Sequence, residues 1–175
     1  MNKKLKLEEL NRLSIEDYKK LNKHRIVVVL DNIRSLHNVG SFFRTCDAFA
    51  VEKIILSGIT ACPPHKEIQK TALGATDSVD WKYEKDCTSS IEKYRELGYK
   101  IFAVEQTNKS KVLSSIEYTN EPIVLIFGNE VQGVNQQIIN CCDESIEIPQ
   151  FGTKHSFNVS VSCGIVLWAL INQIT

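Results

Sequence analysis

The chain has 175 residues, 43% hydrophobic and 24% charged, with 21 basic residues balanced by 21 acidic ones. That is the make-up of one globular domain with a sizeable core, and zero net charge does not by itself advertise a nucleic-acid partner. No apolar run reaches the roughly 18 residues a membrane span needs, the N-terminus lacks an apolar signal core, and the six cysteines show no Cys-x-x-Cys pair or zinc spacing, so no membrane and no metal are expected.

The charge is unevenly spread. Met1 to Arg25 holds eight Lys/Arg against four Asp/Glu, which marks residues 1–25 as a basic leader before a domain at 26–175. Ser14 and Asp17 fit a capping box, so residues 1–23 are expected to be helical, docked through Leu10, Leu13, Tyr18 and Leu21. Such a leader reads equally as a phosphate contact or as a solvated amphipathic segment. Ile26–Leu30 is apolar and mostly β-branched, suited to a strand buried on both faces of a parallel sheet. After a loop at 31–38, a helix is predicted over Val39–Ala50, with Val39, Phe42, Phe43, Cys46 and Ala50 inward. Further strands are predicted at Lys53–Ser57, Trp81–Tyr83, Tyr99–Val104, Ile123–Phe127 and Ile146–Ile148. A loop-helix stretch is expected at 60–75, and helices at Cys87–Leu97, closed by Gly98, and at Asn135–Cys141.

The last helix has the most unusual composition. From Ser156, its expected N-cap, Val161, Ile165 and Trp168 form one stripe, and Val159, Val166, Leu167, Leu170 and Ile171 widen it. A helix this apolar is buried in a core or under a partner. Its first turn carries His155, Ser156, Asn158 and Ser160, which reads either as a site or as ordinary capping.

The alternation predicts an α/β fold with a mostly parallel sheet flanked by helices. Ligands of such sheets lie outside the carboxyl ends of the strands. Those ends carry Asp31-Asn32, Glu105-Gln106-Thr107, Gly128-Asn129-Glu130 and Pro149-Gln150. Gly128 and Gly133 bracket a loop able to bring backbone amides close to a ligand. Asn38, Ser41 and Thr45 share a helix face beside Arg44, which suits an anion or merely pairs with Asp47. No Gly-x-Gly-x-x-Gly, Walker A or Gly-x-Ser-x-Gly motif is present, which disfavours another nucleotide enzyme or a serine hydrolase.

Three blocks, NVGSFFRTCDAFAVEKIIL from Asn38, IVLIFGNEVQGV from Ile123 and IEIPQFGTKHSFNVSVSCGI from Ile146, together resemble the SpoU/TrmH branch of the SPOUT RNA methyltransferases. Phe157 stands where that family commonly has Leu. The resemblance runs from about Ile26 to the C-terminus, and three blocks in order make it specific.

The resemblance implies a SPOUT-type fold with a C-terminal deep trefoil knot, an exception to unthreaded chain topology. It implies transfer of a methyl group from S-adenosylmethionine to a ribose 2′-hydroxyl of RNA. The cofactor would be held by Val104, Glu105, Gln106, Thr107, Phe127, Gly128, Asn129, Ile148, Pro149 and Phe157. Asn38 and Asn158 would orient the ribose, Ser156 would support the loop, and Glu130 would position its neighbours. Family proposals give Arg44 a part in activating the hydroxyl. An arginine stays protonated, so Arg44 is better read as gripping the adjacent phosphate and stabilising charge on the ribose oxygen. A cytoplasmic homodimer through the last helix is implied, and VEQTNKS (Val104–Ser110) tilts the substrate towards tRNA, possibly a guanosine, over rRNA. A non-catalytic SPOUT-like RNA-binding protein is the alternative from another class.

Overall fold

The computed structural model describes residues 1–175, the side chain of Leu7 excepted. Seven strands form β1 (His24–Asp31), β2 (Val51–Ser57), β3 (Trp81–Glu84), β4 (Lys100–Val104), β5 (Lys111–Val112), β6 (Ile123–Phe127) and β7 (Glu144–Glu147). They make one parallel sheet in the order β3-β2-β1-β6-β4-β7-β5. Seven helices, α1 (Ile15–Lys20), α2 (Leu36–Ala48), α3 (Lys66–Ala72), α4 (Ala75–Ser78), α5 (Thr88–Glu96), α6 (Gln136–Asn140) and α7 (Val159–Ile171), connect and cover it.

The side-chain period of two explains why the central strands are apolar throughout. Ile26, Val28 and Leu30 of β1 and Ile123, Leu125 and Phe127 of β6 join the core built by α2, α3 and α7. Val27, Val29, Val124 and Ile126 point the other way, into the core with Ile91 and Tyr94 of α5 and Ile138 of α6. Strand β7 lies between β4 and β5, both earlier in the chain, so the C-terminal part enters the sheet instead of extending its edge.

Several boundaries differ from the sequence reading. The leader is not one helix. It holds a 3-10 turn at Leu7–Leu10, a left-handed Asn11 (φ 46°), and the six-residue α1 capped by Ser14. Among the described side chains there, only Tyr18 is buried. Leu10, Leu13 and Leu21 stay exposed, because so short a helix presents one docking position and no continuous stripe. Helix α2 starts three residues early, at Leu36 under a Ser35 cap, and Ala50 lies beyond its end at φ 46°. Strand β5 has two residues, too short an element for sequence periodicity to register.

The cap of α7 is Asn158, not Ser156. Its side chain accepts from the amides of Ser160 and Val161, a reach that shifts the first turn two residues on. Cys163, Val166, Leu167, Leu170 and Ile171 form the buried face of α7. Of the stripe read from the sequence, Val161 (50% exposed) and Trp168 (61% exposed) instead face outward. All six cysteines are free, and Cys46, Cys87 and Cys163 are buried. Among the described residues no helix is long and apolar enough to cross a membrane.

Candidate active site

The carboxyl ends of β4, β6 and β7, with the segment entering α7, enclose a cleft of about 490 Å³. That volume suits a ligand of nucleoside size. Val104, Glu105, Gln106, Phe127, Gly128, Asn129, Ile148 and Phe157 line it, whereas Thr107 and Pro149 do not. Thr107 is turned to its own loop, where its amide donates to Ser110 Oγ and its carbonyl accepts from the same hydroxyl.

The cleft floor is backbone brought unusually close. A Cβ on Gly128 would sit 2.1 Å from the Val134 nitrogen and 2.2 Å from the Gly133 carbonyl carbon. Gly133 adopts φ 70°, and a Cβ there would strike the Glu105 carboxylate at 2.2 Å. Asn129 and Gly133 exchange both backbone hydrogen bonds, and the Asn129 side-chain oxygen accepts from the amides of Val131 and Gln132. Glu105 accepts from the Val134 amide at 2.9 Å and from the Gln106 amide at 2.9 Å. Its carboxylate is therefore spent on holding this loop. Gln106 is similarly engaged: its side-chain amide donates to the His155 carbonyl at 2.8 Å, and Gln150 donates to the same oxygen at 3.2 Å. Two carboxamides on one carbonyl tie the loops after β4 and β7 to the segment that carries Ser156 and Phe157. The sequence places Gln150 at a strand end and His155 before the last helix but does not show this arrangement, since Gln106 and His155 lie 49 residues apart.

At one end of the cleft, Glu130 gathers three donors: the amides of Arg34 (2.9 Å) and Ser35 (3.0 Å) and the side chain of Asn38 (2.9 Å). Asn38 Oδ1 accepts in turn from Asn158 Nδ2 at 3.1 Å. Ser160, beside Asn158 on α7, is drawn to the same pair and donates to Asn158 Oδ1 at 2.7 Å. Burial opposes ionisation of Glu130, but the Arg34 amide, the Asn38 side chain and the Ser35 amide outweigh it, and its carboxyl lies below the usual range. A carboxylate so occupied is a weak proton acceptor. It serves as the post that holds Asn38 and, through it, Asn158 in register.

Thus Asn38, Glu130 and Asn158 meet in one network, and Ser156 lines the adjacent cleft. Arg44 is not brought to them within the chain. Six residues on from Asn38, it lies about 9 Å further along α2 and about two-thirds of a turn round. It is exposed and lines a second cleft, between α2 and the leader. Its neighbour Thr45 packs against α7, where a Cβ on Gly164 would meet Thr45 Cγ2 at 4.0 Å.

The electrostatics of the first cleft are selective. Glu105, Glu130 and Glu147 line it, with no Lys or Arg. A polyphosphate nucleotide would meet carboxylates unrelieved by any cation, whereas a ligand with a cationic centre is favoured.

The SpoU rRNA methylase family matches residues 25–168. A tRNA (guanosine(18)-2′-O)-methyltransferase of Aquifex aeolicus is 32% identical over 154 residues, covering 85% of this chain and 69% of that protein. The crystal structure of an A. aeolicus TrmH/SpoU tRNA modifying enzyme superposes with a TM-score of 0.81 at 27% identity, covering 91% of this chain and 81% of that one. The AdoMet-bound rRNA methyltransferase of Sinorhizobium meliloti shares the fold, with a TM-score of 0.79 at 24% identity over 90% of this chain and 60% of that one.

Proposed function

Because the chain belongs to the SpoU methylase family and is an S-adenosylmethionine-dependent RNA 2′-O-methyltransferase, we propose that it acts on a ribose of tRNA, a guanosine in particular. The observation that carries this reading is the pairing of an acidic, glycine-floored cleft with the Asn38–Glu130–Asn158 network at its end. The residues fit the cofactor: backbone approaches closely at Gly128 and Gly133, and the carboxylates suit its cationic sulfonium and ammonium groups. When bound, S-adenosylmethionine supplies an activated methyl group.

The chain's own residues do the rest. Asn38 and Asn158 hold the ribose, prealigned by Glu130, so that its 2′-oxygen faces the cleft. Ser156 and Phe157, tied back through Gln106 and Gln150, form one wall of the cleft. Arg44 grips the phosphate beside the reacting ribose and offsets the charge that develops there. Among the solved structures the chain spans 81% of the A. aeolicus tRNA modifying enzyme against 60% of the S. meliloti rRNA enzyme, and this supports tRNA over rRNA. Incubating the protein and S-adenosylmethionine with unmodified tRNA and rRNA, then identifying nucleosides by mass spectrometry, tests the proposal. A 2′-O-methylguanosine in tRNA is expected, and methyl groups found on bases alone, or in rRNA alone, would overturn it.

The same reading includes a cytoplasmic homodimer, the C-terminal knot and an N-terminal leader at 1–25 that is not part of the methyltransferase domain. The outward Val161 and Trp168 on an otherwise apolar helix support the dimer. A second copy docked on α7 would also reach Thr45 and Arg44, and so bring its own Arg44 to the first copy's cleft. Trp168→Glu should convert the dimer to monomer, seen as a halved mass by light scattering at micromolar protein, because a buried unpaired carboxylate is costly. An unchanged dimer mass would exclude α7 as the interface.

A further inference from the structure

Strand β1 ends at Asp31, and the next residue, Asn32, turns the chain at φ 57°. Asparagine tolerates this left-handed conformation better than most residues do. The Asn32 carbonyl accepts from the Asn129 side chain at 2.8 Å. Its own carboxamide is held on both sides, with Oδ1 accepting from the Ile59 amide at 3.1 Å and Nδ2 donating to Asp31 Oδ1 at 2.7 Å. The fit is close: a Cβ on Gly58 would meet Asn32 Oδ1 at 2.1 Å. The second Asp31 oxygen accepts from the Asn135 amide at 3.4 Å. Two consecutive residues at the end of β1 thus hold both ends of the segment 129–135, which floors the first cleft and carries Glu130.

The other neighbour of β6 contributes as well. Strand β6 lies between β1 and β4, and Glu105, just past β4, accepts from the Val134 amide at 2.9 Å. Carboxylates from both flanking strands therefore grip successive amides, Val134 and Asn135. Asp31 is the costly one to keep. It is 3% exposed and takes part in no ion pair among the described residues. Burial pushes its carboxyl above the usual range, the Asn135 amide and the Asn32 side chain offset only part of this, and Asp86 adds to it. A neutral amide of the same shape would be easier to bury, so packing alone gives no reason for a carboxylate. Its two donors do. A carboxylate presents an acceptor to each, whereas an amide would turn its NH₂ group towards one of them.

We propose that Asp31 and Asn32 are positioning residues for methyl transfer, a clamp that holds the 129–135 segment in its cofactor-binding form. The inference rests on the reading of the first cleft as the S-adenosylmethionine site. It adds residues that line neither that cleft nor the Asn38–Glu130–Asn158 network.

The test uses the full chain and Asp31→Asn. Losing one hydrogen bond to a charged group should leave the segment competent only part of the time and raise the calorimetric Kd for S-adenosylmethionine about tenfold. The KM for the cofactor should rise equally, with kcat at saturation retained, because bound ligand draws the segment back to its competent form. The melting temperature should not fall, since a buried charge has been removed. A second measurement is the cycle with Gly128→Ala, which opens the same loop. In that background Asp31→Asn should cost clearly less than tenfold, because the two changes act through one element. Wild-type Kd in Asp31→Asn, or full additivity in the cycle, would overturn the clamp. A raised Kd with a lowered melting temperature would also overturn it, since Asp31 would then only support the fold. No binding of S-adenosylmethionine by the wild-type protein is a different result and would count against the proposed function itself.

Discussion

Arg44→Ala is expected to slow methyl transfer by about 10²- to 10³-fold, the usual cost of removing one preorganised charge-stabilising group. Affinity for S-adenosylmethionine should not change. Within its own chain Arg44 does not line the proposed cofactor cleft, so its loss should act through RNA. Single-turnover transfer to tRNA measures the first quantity and calorimetry the second. Arg44→Lys separates charge from shape. A lysine keeps the cation but cannot present a planar fork, so it should stay impaired, and its residual deficit reports the value of bidentate geometry. Full activity in Arg44→Ala would remove Arg44 from the mechanism.

The second large effect is expected at Gly128. In Gly128→Ala the new Cβ meets backbone on two sides, the Val134 nitrogen and the Gly133 carbonyl, and no side chain can rotate away to make room. The loop 128–134 must open, which strains the Asn129–Gly133 pair and the Val134–Glu105 hydrogen bond. Forcing a methyl group into such a contact costs about 1–3 kcal/mol. Because this loop is the floor of the proposed cofactor cleft, S-adenosylmethionine affinity should fall by about tenfold or more, with a lower melting temperature. Gly152→Ala is the control. A Cβ there has nothing within 4 Å, so it should behave as wild type. Undiminished affinity in Gly128→Ala, measured by calorimetry, would mean that the ligand does not use this floor.

Much of the fold was legible because local signals agree with it. Ile26–Leu30 and Ile123–Phe127 have no polar face, and only a strand covered on both sides tolerates that. Gly98 ends α5 at φ 83°, as a residue just past a helix should. Ser14 caps α1 as its spacing with Asp17 predicts. The clustering of polar residues at strand ends was also legible, and Val104, Gly128, Ile148 and Phe157 do line one cleft.

What the sequence by itself determined was therefore the periodic part: which residues face a core, where strands end, and which three blocks mark the family. Tertiary structure decided the rest, because it depends on partners distant in the chain. Glu130 reaches Asn38 across 92 residues and Asn158 reaches Asn38 across 120, and no local pattern encodes either distance. Glu105 and Gln106 read as ligand contacts from their position at a strand end. In the folded chain their side chains are consumed in holding Val134 and His155. Arg44 shares a block with Asn38, yet six residues of helix turn it away from that network and towards the leader. Helical periodicity assigned Val161 and Trp168 to an apolar stripe without saying which way it faced. The sheet was already covered by the opposite face of α7, from Cys163 to Ile171, and that left this stripe outward.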